Sequence, residues 1–282
     1  MNMKKMAAVV LSLSLIGAVF AGCGGNRAKD LETNVRAKVG TLAHLNASEE
    51  KYNDLMKKVD ETWTSNFSFD YVYYDTLTSM QMGLDSGNIQ EMTLYTSIAK
   101  YLTDRNEGLQ TIDYQGLKLS DSFCCAVRKE DKELKASLDK AIEDMKADGT
   151  LKDLVQKYIT GLKKGEEPAV VPMPGLTGAP LKVAITGDLP PLDLVLADGT
   201  AAGFNTAVLA EIGKRLNRNI EIVQVESAAR AAALSSKKAD VVFWVTLPAV
   251  GSKVPADIDK PEGLEMTVPY YQDDIVHVGK KK

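Results

Sequence analysis

The chain has 282 residues, of which 26% are charged and 45% are hydrophobic, and its formal net charge at pH 7 is −4. This mildly acidic balance argues against nucleic acid as a partner, because proteins that bind it present a basic face. The length is sufficient for two compact lobes, each with a hydrophobic core of its own.

The first residues have the three-part layout of a secretory signal. Lys4 and Lys5 form a positive start, residues 7–20 form an apolar run, and two small residues precede Cys23. The apolar run is too short to span a bilayer as a permanent helix, and no later segment has about 20 consecutive apolar residues. We therefore predict a signal peptide over residues 1–22, export of the mature chain, and no other membrane crossing.

Cys23 predicts a lipid anchor. The stretch that ends at this cysteine resembles a bacterial lipobox, in which the thiol is acylated before the signal is cleaved, although Phe20 stands where Leu is more usual. We expect Cys23 to carry a lipid and residues 23–30 to form a tether, so that the protein is extracytoplasmic and held on the outer face of a membrane. The alternative is a secreted protein that is cleaved near the same point without a lipid.

Strands and helices alternate along residues 31–162, which is typical of α/β sheets. Strands are predicted over residues 35–42, 68–74, 92–94 and 123–127. Helices are predicted over residues 48–63, 76–84, 97–102, 131–147 and 150–159. Cys124 and Cys125 lie in an apolar run and are expected to be small buried core residues. The two histidines of the chain are far apart in the sequence, so no metal site of the usual zinc spacing is predicted, and no cofactor.

Residues 163–180 contain four prolines and three glycines and have no hydrophobic period, so they are predicted to be a linker. Residues 181–282 then return to alternating strands and helices. Strands are predicted over residues 181–185, 220–225 and 240–245, and helices over residues 207–216 and 228–234. A loop that contains Pro190-Pro191 follows the first of these strands.

The second half resembles the opening of a known receptor family. A strand before Gly187, the Pro190-Pro191 turn, Gly203-Phe204 before a helix and Lys238-Ala239-Asp240 before a strand are similar to the family 3 extracellular solute-binding proteins. The stretch TVPYY (267–271) resembles the place where that family's chain crosses its hinge. In the first half, FCCAVRKEDKELKASLDKAIEDMKADGTLKDLVQKYI is similar to the family's last strand and two helices.

The resemblance implies an α/β fold of the type II periplasmic-binding-protein kind, with two lobes joined by a two-strand hinge. Each lobe would have a central mixed sheet flanked by helices. Because the two halves stand in the reverse of the family's order, the chain is interpreted as circularly permuted, with the usual ends joined by the linker. Residues 31–162 would then supply most of the second lobe and the family's C-terminal helices, and residues 181–282 the first lobe. This interpretation implies a monomer; two chains that exchange halves as a swapped dimer are the alternative.

The same resemblance implies a non-enzymatic function. The protein would capture a small solute by hinge closure and deliver it to the permease of an ABC uptake transporter. A dehydratase-like enzyme on the same fold is one alternative, with Asp75, Asp188, Glu91 and His44 as acid or base candidates that lack a partner pattern. A sensor or structural lipoprotein with a vestigial cleft is another.

Amino-acid receptors of this family hold the zwitterion with an Arg, a Gly-Thr-Thr turn and an acidic residue. At the matching positions this chain has no Arg near Gly251, His44-Leu45-Asn46 at the turn, and Tyr95 in place of the acid. Lys253 could replace the Arg only if its loop is reshaped. The resemblance therefore does not predict a simple α-amino-acid ligand.

The residues that remain near the expected cleft are aromatic and neutral-polar, and they predict a flat or weakly charged solute. One lobe would contribute Asp188, Leu192, Trp244 and Thr246, and the other His44, Asn46, Tyr74, Asp75 and Tyr95. Core packing is the alternative role for Trp244 and Tyr95, and a solvent-facing loop position is the alternative for His44.

Overall fold

The computed structural model describes residues 36–61, 69–114, 119–250 and 252–281. Residues 1–35 lie outside this range, and with them the predicted signal peptide, Cys23 and the tether. Within the described residues, no helix combines the length and the apolar character that are needed to cross a bilayer.

The first part of the described chain alternates strands and helices, as its sequence pattern predicts. In chain order it contains β1 (Ala37–Leu42), α1 (Glu49–Glu61), β2 (Phe69–Tyr74), α2 (Leu77–Ser86), β3 (Glu91–Tyr95), α3 (Thr96–Thr103), β4 (Leu109–Ile112), β5 (Leu119–Arg128), α4 (Lys132–Ala147) and α5 (Thr150–Val155). The predicted helix over residues 150–159 is confirmed as far as Val155 and continues as a π-helical turn, Gln156–Thr160.

The second part begins after an extended segment. It contains β6 (Gly178–Ile185), β7 (Asp188–Leu189), β8 (Asp193–Val195), β9 (Ala201–Ala202), α6 (Phe204–Leu216), β10 (Arg218–Gln224), α7 (Arg230–Ser235), β11 (Val241–Pro248), β12 (Leu264–Met266) and β13 (Tyr271–Lys280). The short strands β7, β8 and β9 form a small sheet of their own, which begins in the region where a loop with Pro190-Pro191 was predicted. Two- and three-residue strands are too short to show an alternation of apolar and polar residues.

Helix α2 shows how local sequence sets an element. The Thr76 hydroxyl accepts a hydrogen bond from the Ser79 backbone N–H at 3.0 Å, and Ser79 returns one to the Thr76 N–H at 3.3 Å. This reciprocal cap satisfies two donors that a helix start leaves without partners. At the other end Gly87 adopts φ 81°, a conformation that glycine reaches without strain, and the helix stops there.

Among the described residues, ten strands form one mixed sheet. Its main order is β10-β6-β11-β5-β13-β3-β1-β2, with β12 paired to β5 and β4 paired to β13. The pairs of β1 with β2 and β3, and of β6 with β10 and β11, are parallel, whereas β5 and β13 run antiparallel to their partners. Helices pack on both groups of parallel strands, as expected for an α/β fold.

Strands β5 and β13 form the hinge. β13 pairs with β5 through its first half, where Tyr271 is opposite Phe123, and with β3 through its second half, where Val276 is opposite Leu94. The far end of β5 pairs with β11 and β12. We call the group of β6 to β12 with α4 to α7 lobe 1, and the group of β1 to β4 with α1 to α3 lobe 2. The two-lobed α/β fold with a two-strand hinge is thus confirmed.

The segment predicted as a linker is packed against the protein. The Val171 side chain is buried, and its backbone N–H donates to the Ala201 carbonyl in lobe 1 at 3.0 Å. The Tyr101 hydroxyl on α3 in lobe 2 donates to the Glu167 carboxylate at 2.6 Å. Residues 163–177 therefore connect the two lobes. This described segment contains no helix or strand.

The buried cysteines are confirmed as core residues. Cys124 and Cys125 lie in the middle of β5, fully buried and without a disulfide. Burial raises the pKa of the Cys124 thiol to about 12, so the thiol stays protonated at neutral pH.

Gly203, at the start of α6, occupies a position that only glycine fits. Its φ is 97° with an extended ψ, and the next two backbone N–H groups donate to the Pro191 and Leu192 carbonyls at 2.9 and 2.7 Å. A Cβ atom at this position would lie 2.6 Å and 2.7 Å from those same carbonyl oxygens. The carbonyls thus satisfy the first donors of the helix only because position 203 has no side chain.

Replacement of Gly203 by Ala is expected to lower the free energy of unfolding by about 3 kcal/mol or more, because backbone strain and the close contacts act together. Gly199 is the matched control: its φ is 83°, but a Cβ there meets nothing within 4 Å. Gly199→Ala should cost only about 1 kcal/mol. Urea denaturation of both variants measures the difference, and equal losses would contradict the role of the carbonyl contacts.

Candidate functional site

A cavity of about 80 Å³ lies where the two lobes and the hinge strands meet, and we call it the interlobe cavity. It is lined by residues of lobe 1 (Arg230, Trp244, Thr246 and Asp259), of lobe 2 (Thr41, Leu42, Ala43, His44, Tyr52, Tyr71, Thr93, Leu94, Tyr95 and Ile98) and of the hinge (Leu119, Asp121, Ile275 and His277). Most of its polar groups and aromatic rings therefore come from segments that are far apart in the sequence.

Four of the residues proposed from the sequence lie on the cavity wall: His44, Tyr95, Trp244 and Thr246. The rings of Tyr95 and Trp244 meet edge to face with centroids 6.4 Å apart. Both also pack on Phe123, at 4.7 Å and 6.0 Å. The two aromatic rings of the cavity wall thus pack against Phe123 of hinge strand β5.

The other proposed residues do not line this cavity. Leu192 is fully buried in the core of lobe 1, so the sequence interpretation of this position as a cleft residue is corrected. Tyr74 packs its ring against α2 beside Gly83, and Asp75 and Asn46 are exposed. Asp188 is half-buried and accepts a hydrogen bond from the Leu77 N–H, the first residue of α2, at 2.7 Å. Burial raises the pKa of Asp188.

Arg230 was missed by the sequence interpretation, which looked for a cleft arginine near Gly251. It is the first residue of α7, 3% exposed, and its three nitrogens donate to main-chain carbonyls: Nε to Ser227 at 3.0 Å, Nη1 to Trp244 at 2.8 Å and Nη2 to Ala43 at 3.3 Å. The sequence feature that could have pointed to Arg230 is its position as the single charged residue in the alanine-rich run AARAAA. A lone arginine in such a helix needs buried acceptors or solvent, and the sequence does not say which.

Trp244 has an unusual backbone. It adopts φ 42° at an irregularity in β11, between Phe243 and Val245. A left-handed conformation at a bulky residue costs about 1–3 kcal/mol and persists only where the surroundings impose it. Here the Arg230 guanidinium bonds the Trp244 carbonyl and also lies over the indole ring, 4.5 Å from its centroid. The indole N–H points to the Thr186 hydroxyl at 3.4 Å.

Asp121 brings a carboxylate to the cavity from hinge strand β5. Its Oδ2 accepts a hydrogen bond from the Tyr95 hydroxyl at 2.8 Å. Burial raises the pKa of Asp121, an effect that the Tyr95 bond and the charge of His44 partly oppose. Within the described chain, no donor reaches Oδ1 of this carboxylate, which therefore has an acceptor to offer to a solute.

Asp259 supplies a second carboxylate, from the loop between β11 and β12. Its Oδ1 accepts a hydrogen bond from the Asn46 N–H at 2.8 Å, and its Oδ2 lies 3.3 Å from Nδ1 of His44. Both oxygens thus have partners on lobe 2. The His44 ring in turn packs on Tyr52, with centroids 4.6 Å apart.

A buried polar group closes the hinge side of the cavity. His277 on β13 lies 2.8 Å through Nδ1 from Oε2 of Glu91, and the Tyr114 hydroxyl donates to the other Glu91 oxygen at 2.5 Å. Burial acts to raise the pKa of Glu91, but the bonds from His277 and Tyr114 outweigh it and the pKa is lowered. Glu91 is therefore held as a carboxylate, which does not suit it to act as a general acid.

The acid or base candidates considered from the sequence do not converge. His44 lines the interlobe cavity and Glu91 lies behind its wall, whereas Asp188 caps α2 and Asp75 is exposed. Over the part of the chain that the structure describes, no group of three or more His, Cys, Asp or Glu side chains could hold a metal ion.

The family model of the bacterial extracellular solute-binding proteins, family 3, matches residues 27–161 and 181–246 of this chain. The chain belongs to this family. The two matched blocks stop at either side of the packed segment that connects the lobes. They include Trp244 and Thr246, as well as Asp121 and Arg230, which shape the interlobe cavity.

Several solved structures are similar to this chain at low sequence identity. One is the ligand-binding component of an ABC-type import system from Staphylococcus aureus (13% identity, 86% of this chain and 65% of that chain covered, TM-score 0.43). Another is the GluR0 ligand-binding core from Nostoc punctiforme in complex with L-glutamate (12%, 87% and 85%, TM-score 0.39). A third is a periplasmic substrate-binding protein of an ABC transporter from Coxiella burnetii (12%, 86% and 84%, TM-score 0.39). At this level of similarity they say nothing of what this chain binds.

Asp193 lies behind the cavity wall and couples the stability of this family member to pH. Its side chain is fully buried, and Oδ2 accepts from the Thr186 hydroxyl and the Gly187 N–H, both at 3.3 Å. Burial raises the pKa of Asp193 to about 7. The folded state therefore holds this proton where the unfolded chain has lost it, and stability falls as the pH rises from about 4 towards 7.

Replacement of Asp193 by Asn is expected to remove this dependence. The free energy of unfolding of the parent protein should fall between pH 5 and pH 8 by about 2 kcal/mol more than that of the variant. Asp85→Asn, at an exposed position on α2, is the matched control and should follow the parent protein. Urea titrations at the two pH values provide the measurement, and parallel behaviour of all three proteins would contradict the prediction.

Proposed function

We propose that this chain is the lipid-anchored, extracytoplasmic solute-binding component of an ABC-type uptake transporter. In this proposal it captures a small solute in the interlobe cavity when the lobes close on hinge strands β5 and β13. The observation that carries the proposal is the cavity itself, to which both lobes and the hinge contribute polar and aromatic side chains. Membership of the solute-binding family supports it.

Contacts between the lobes support the closure step. On one side of the cavity Asp188 of lobe 1 bonds the Leu77 N–H of lobe 2 at 2.7 Å, and the Ser227 N–H bonds the Asp75 carbonyl at 3.3 Å. On the other side Asp259 bonds Asn46 and His44. We therefore assign Asp188, Asp75 and Asn46, which do not line the cavity, to holding the closed form.

The anchor and the chain order complete the proposal. The lipobox-like stretch before Cys23 supports a lipid anchor. The reversed order of the halves that the resemblance implies supports a circularly permuted domain pair. For this permuted chain we propose a monomer, with two chains that exchange halves as the alternative. With residues 23–30 as the tether, the anchored lobe is lobe 2, and lobe 1 carries Trp244 toward and away from it.

Capture of a solute should change the fluorescence of Trp244, because this ring lies on the cavity wall. The chain has two tryptophans, and Trp63→Phe leaves Trp244 as the single reporter; Trp63 is outside the described residues. A screen of small metabolites is expected to yield a solute that shifts the emission of this variant. The same solute should stabilise the protein by about 2.7 kcal/mol at a hundredfold excess over its Kd. A folded protein that responds to no solute in either assay would overturn the proposal.

The lipid is tested separately. In a bacterial host that processes lipoproteins, the parent protein is expected to partition into the detergent phase, and its mature N-terminal peptide should have the mass of an acylated cysteine. Cys23→Ser should abolish both properties, because the hydroxyl does not replace the thiol in acylation. Recovery of the unmodified parent protein in the aqueous phase would instead indicate a secreted protein without an anchor.

A further inference from the structure

We propose that the captured solute is a small organic cation, bound by the Asp121 carboxylate inside a cage of aromatic rings. This inference rests on the proposed function and names its solute class. The positions that the resemblance matches to the family's zwitterion contacts lack the required side chains, so the solute class must be inferred from the groups that the structure brings together.

Asp121 is the carboxylate on the cavity wall that can still accept a hydrogen bond from a solute. Of the two carboxylates on the cavity wall, Asp259 has both oxygens engaged by Asn46 and His44. Asp121 uses only Oδ2, which accepts from the Tyr95 hydroxyl, and Oδ1 has no donor among the described residues. A carboxylate with a free oxygen in a partly buried site is a strong partner for an ammonium group, because the bond is charge-assisted.

Arg230 is engaged by main-chain carbonyls and is not placed to bind a solute carboxylate. A solute carboxylate would require a guanidinium that presents its edge to the cavity. Arg230 is 3% exposed, and three of its five N–H groups, one on each nitrogen, already donate to carbonyls. One face of the group lies on the Trp244 ring. Arg230 holds the left-handed backbone of Trp244 and bonds Ala43 of lobe 2. We therefore assign it to the structure of the cavity wall and not to binding of the solute.

A further observation is the charge of the wall. Among the described residues that line the cavity, the carboxylates of Asp121 and Asp259 face one guanidinium, that of Arg230. These two carboxylates and this guanidinium leave the wall with one excess negative charge. A bound monocation would neutralise it, a zwitterion would leave it as it is, and an anion would double it. Because an uncompensated charge in a closed cavity is unfavourable, the balance favours a cation.

The last observation is the aromatic lining. Tyr52, Tyr71, Tyr95 and Trp244 line the cavity together, with Tyr52 and Tyr71 packed edge to face at 5.1 Å. Aromatic faces carry negative electrostatic potential and attract ammonium groups. The cavity volume of about 80 Å³ is well below the roughly 150 Å³ that holds a benzene molecule, so the group enclosed in it is small.

Matched series of probes test the class of solute. Butylamine, 4-aminobutyrate and butyrate share a carbon chain and differ in charge, and phenethylamine, phenylalanine and 3-phenylpropionate form a larger series. Calorimetric titration into the full mature protein is expected to show that the amine of at least one series binds about tenfold or more tightly than its zwitterion and its acid. Tighter binding of a zwitterion or an acid would overturn the cation class while leaving solute capture intact.

Asp121→Asn tests the named residue. This variant should bind the amine about 10- to 100-fold more weakly, the range expected when a hydrogen bond to a charged group is lost. Asp85→Asn, an exposed change of the same chemistry, should bind the amine as the parent protein does. Because burial disfavours the charged form of Asp121, the Tm of Asp121→Asn without solute should equal or exceed that of the parent, which separates lost binding from lost folding.

These experiments distinguish failure of the cation class from failure of solute capture. Unchanged amine affinity in Asp121→Asn, or a response of the Trp63→Phe protein only to solutes without a positive charge, would overturn this inference and leave the transport function standing. A folded protein that binds none of the six probes and no solute of the metabolite screen would overturn both.

Discussion

The backbone pairing of β5 with β13 joins the two lobes and so sets how their groups meet at the interlobe cavity. Phe123 stands at its centre, opposite Tyr271 of β13 on one side and Thr246 of β11 on the other. Since side chains alternate along a strand, Asp121 and Phe123 share one face of β5. A slip of one residue would turn Asp121 away from Tyr95 and bury it on the opposite face. The register of these strands is thus a condition for the site as well as for the fold.

Much of the fold could be predicted from the sequence, because it follows from local periodicity. The helices α2 and α4 and the strands β1, β2 and β6 appear within a few residues of their predicted bounds. The positions of Asp121, Arg230 and Asp259 could not be predicted, since they depend on how three distant segments meet. Leu192 is a second case in which local sequence was not sufficient. Its place after Pro190-Pro191 suggested a position in the cleft, but its side chain is buried in the core.

Buried polar groups distinguish the region around the cavity from the remaining core. Arg230, Asp193 and the pair of His277 and Glu91 are all buried, and each lowers stability unless its hydrogen bonds are made. Asp193 Oδ1 and Asn205 Nδ2 are buried without a partner among the described residues, both near the start of α6. A protein selected for stability alone would fill these places with apolar side chains. Arg230 and His277 line the interlobe cavity, and each is stable there only because its hydrogen bonds are made.

The segment that joins the two lobes limits how far they can separate. Glu167 is bonded to Tyr101 of lobe 2, and Val171 is bonded to Ala201 of lobe 1. Glu167 and Val171 are only four positions apart in the chain, and a fully extended backbone covers no more than about 14 Å over these four steps. While both bonds persist, the two lobes on this side cannot separate by more than this backbone reach plus the length of the Glu167 side chain. A larger opening therefore requires this segment to release one lobe completely. It would have to break either the bonds of Glu166 and Glu167 to Tyr101 and Arg105, or those of Ala169 and Val171 to Gly203 and Ala201.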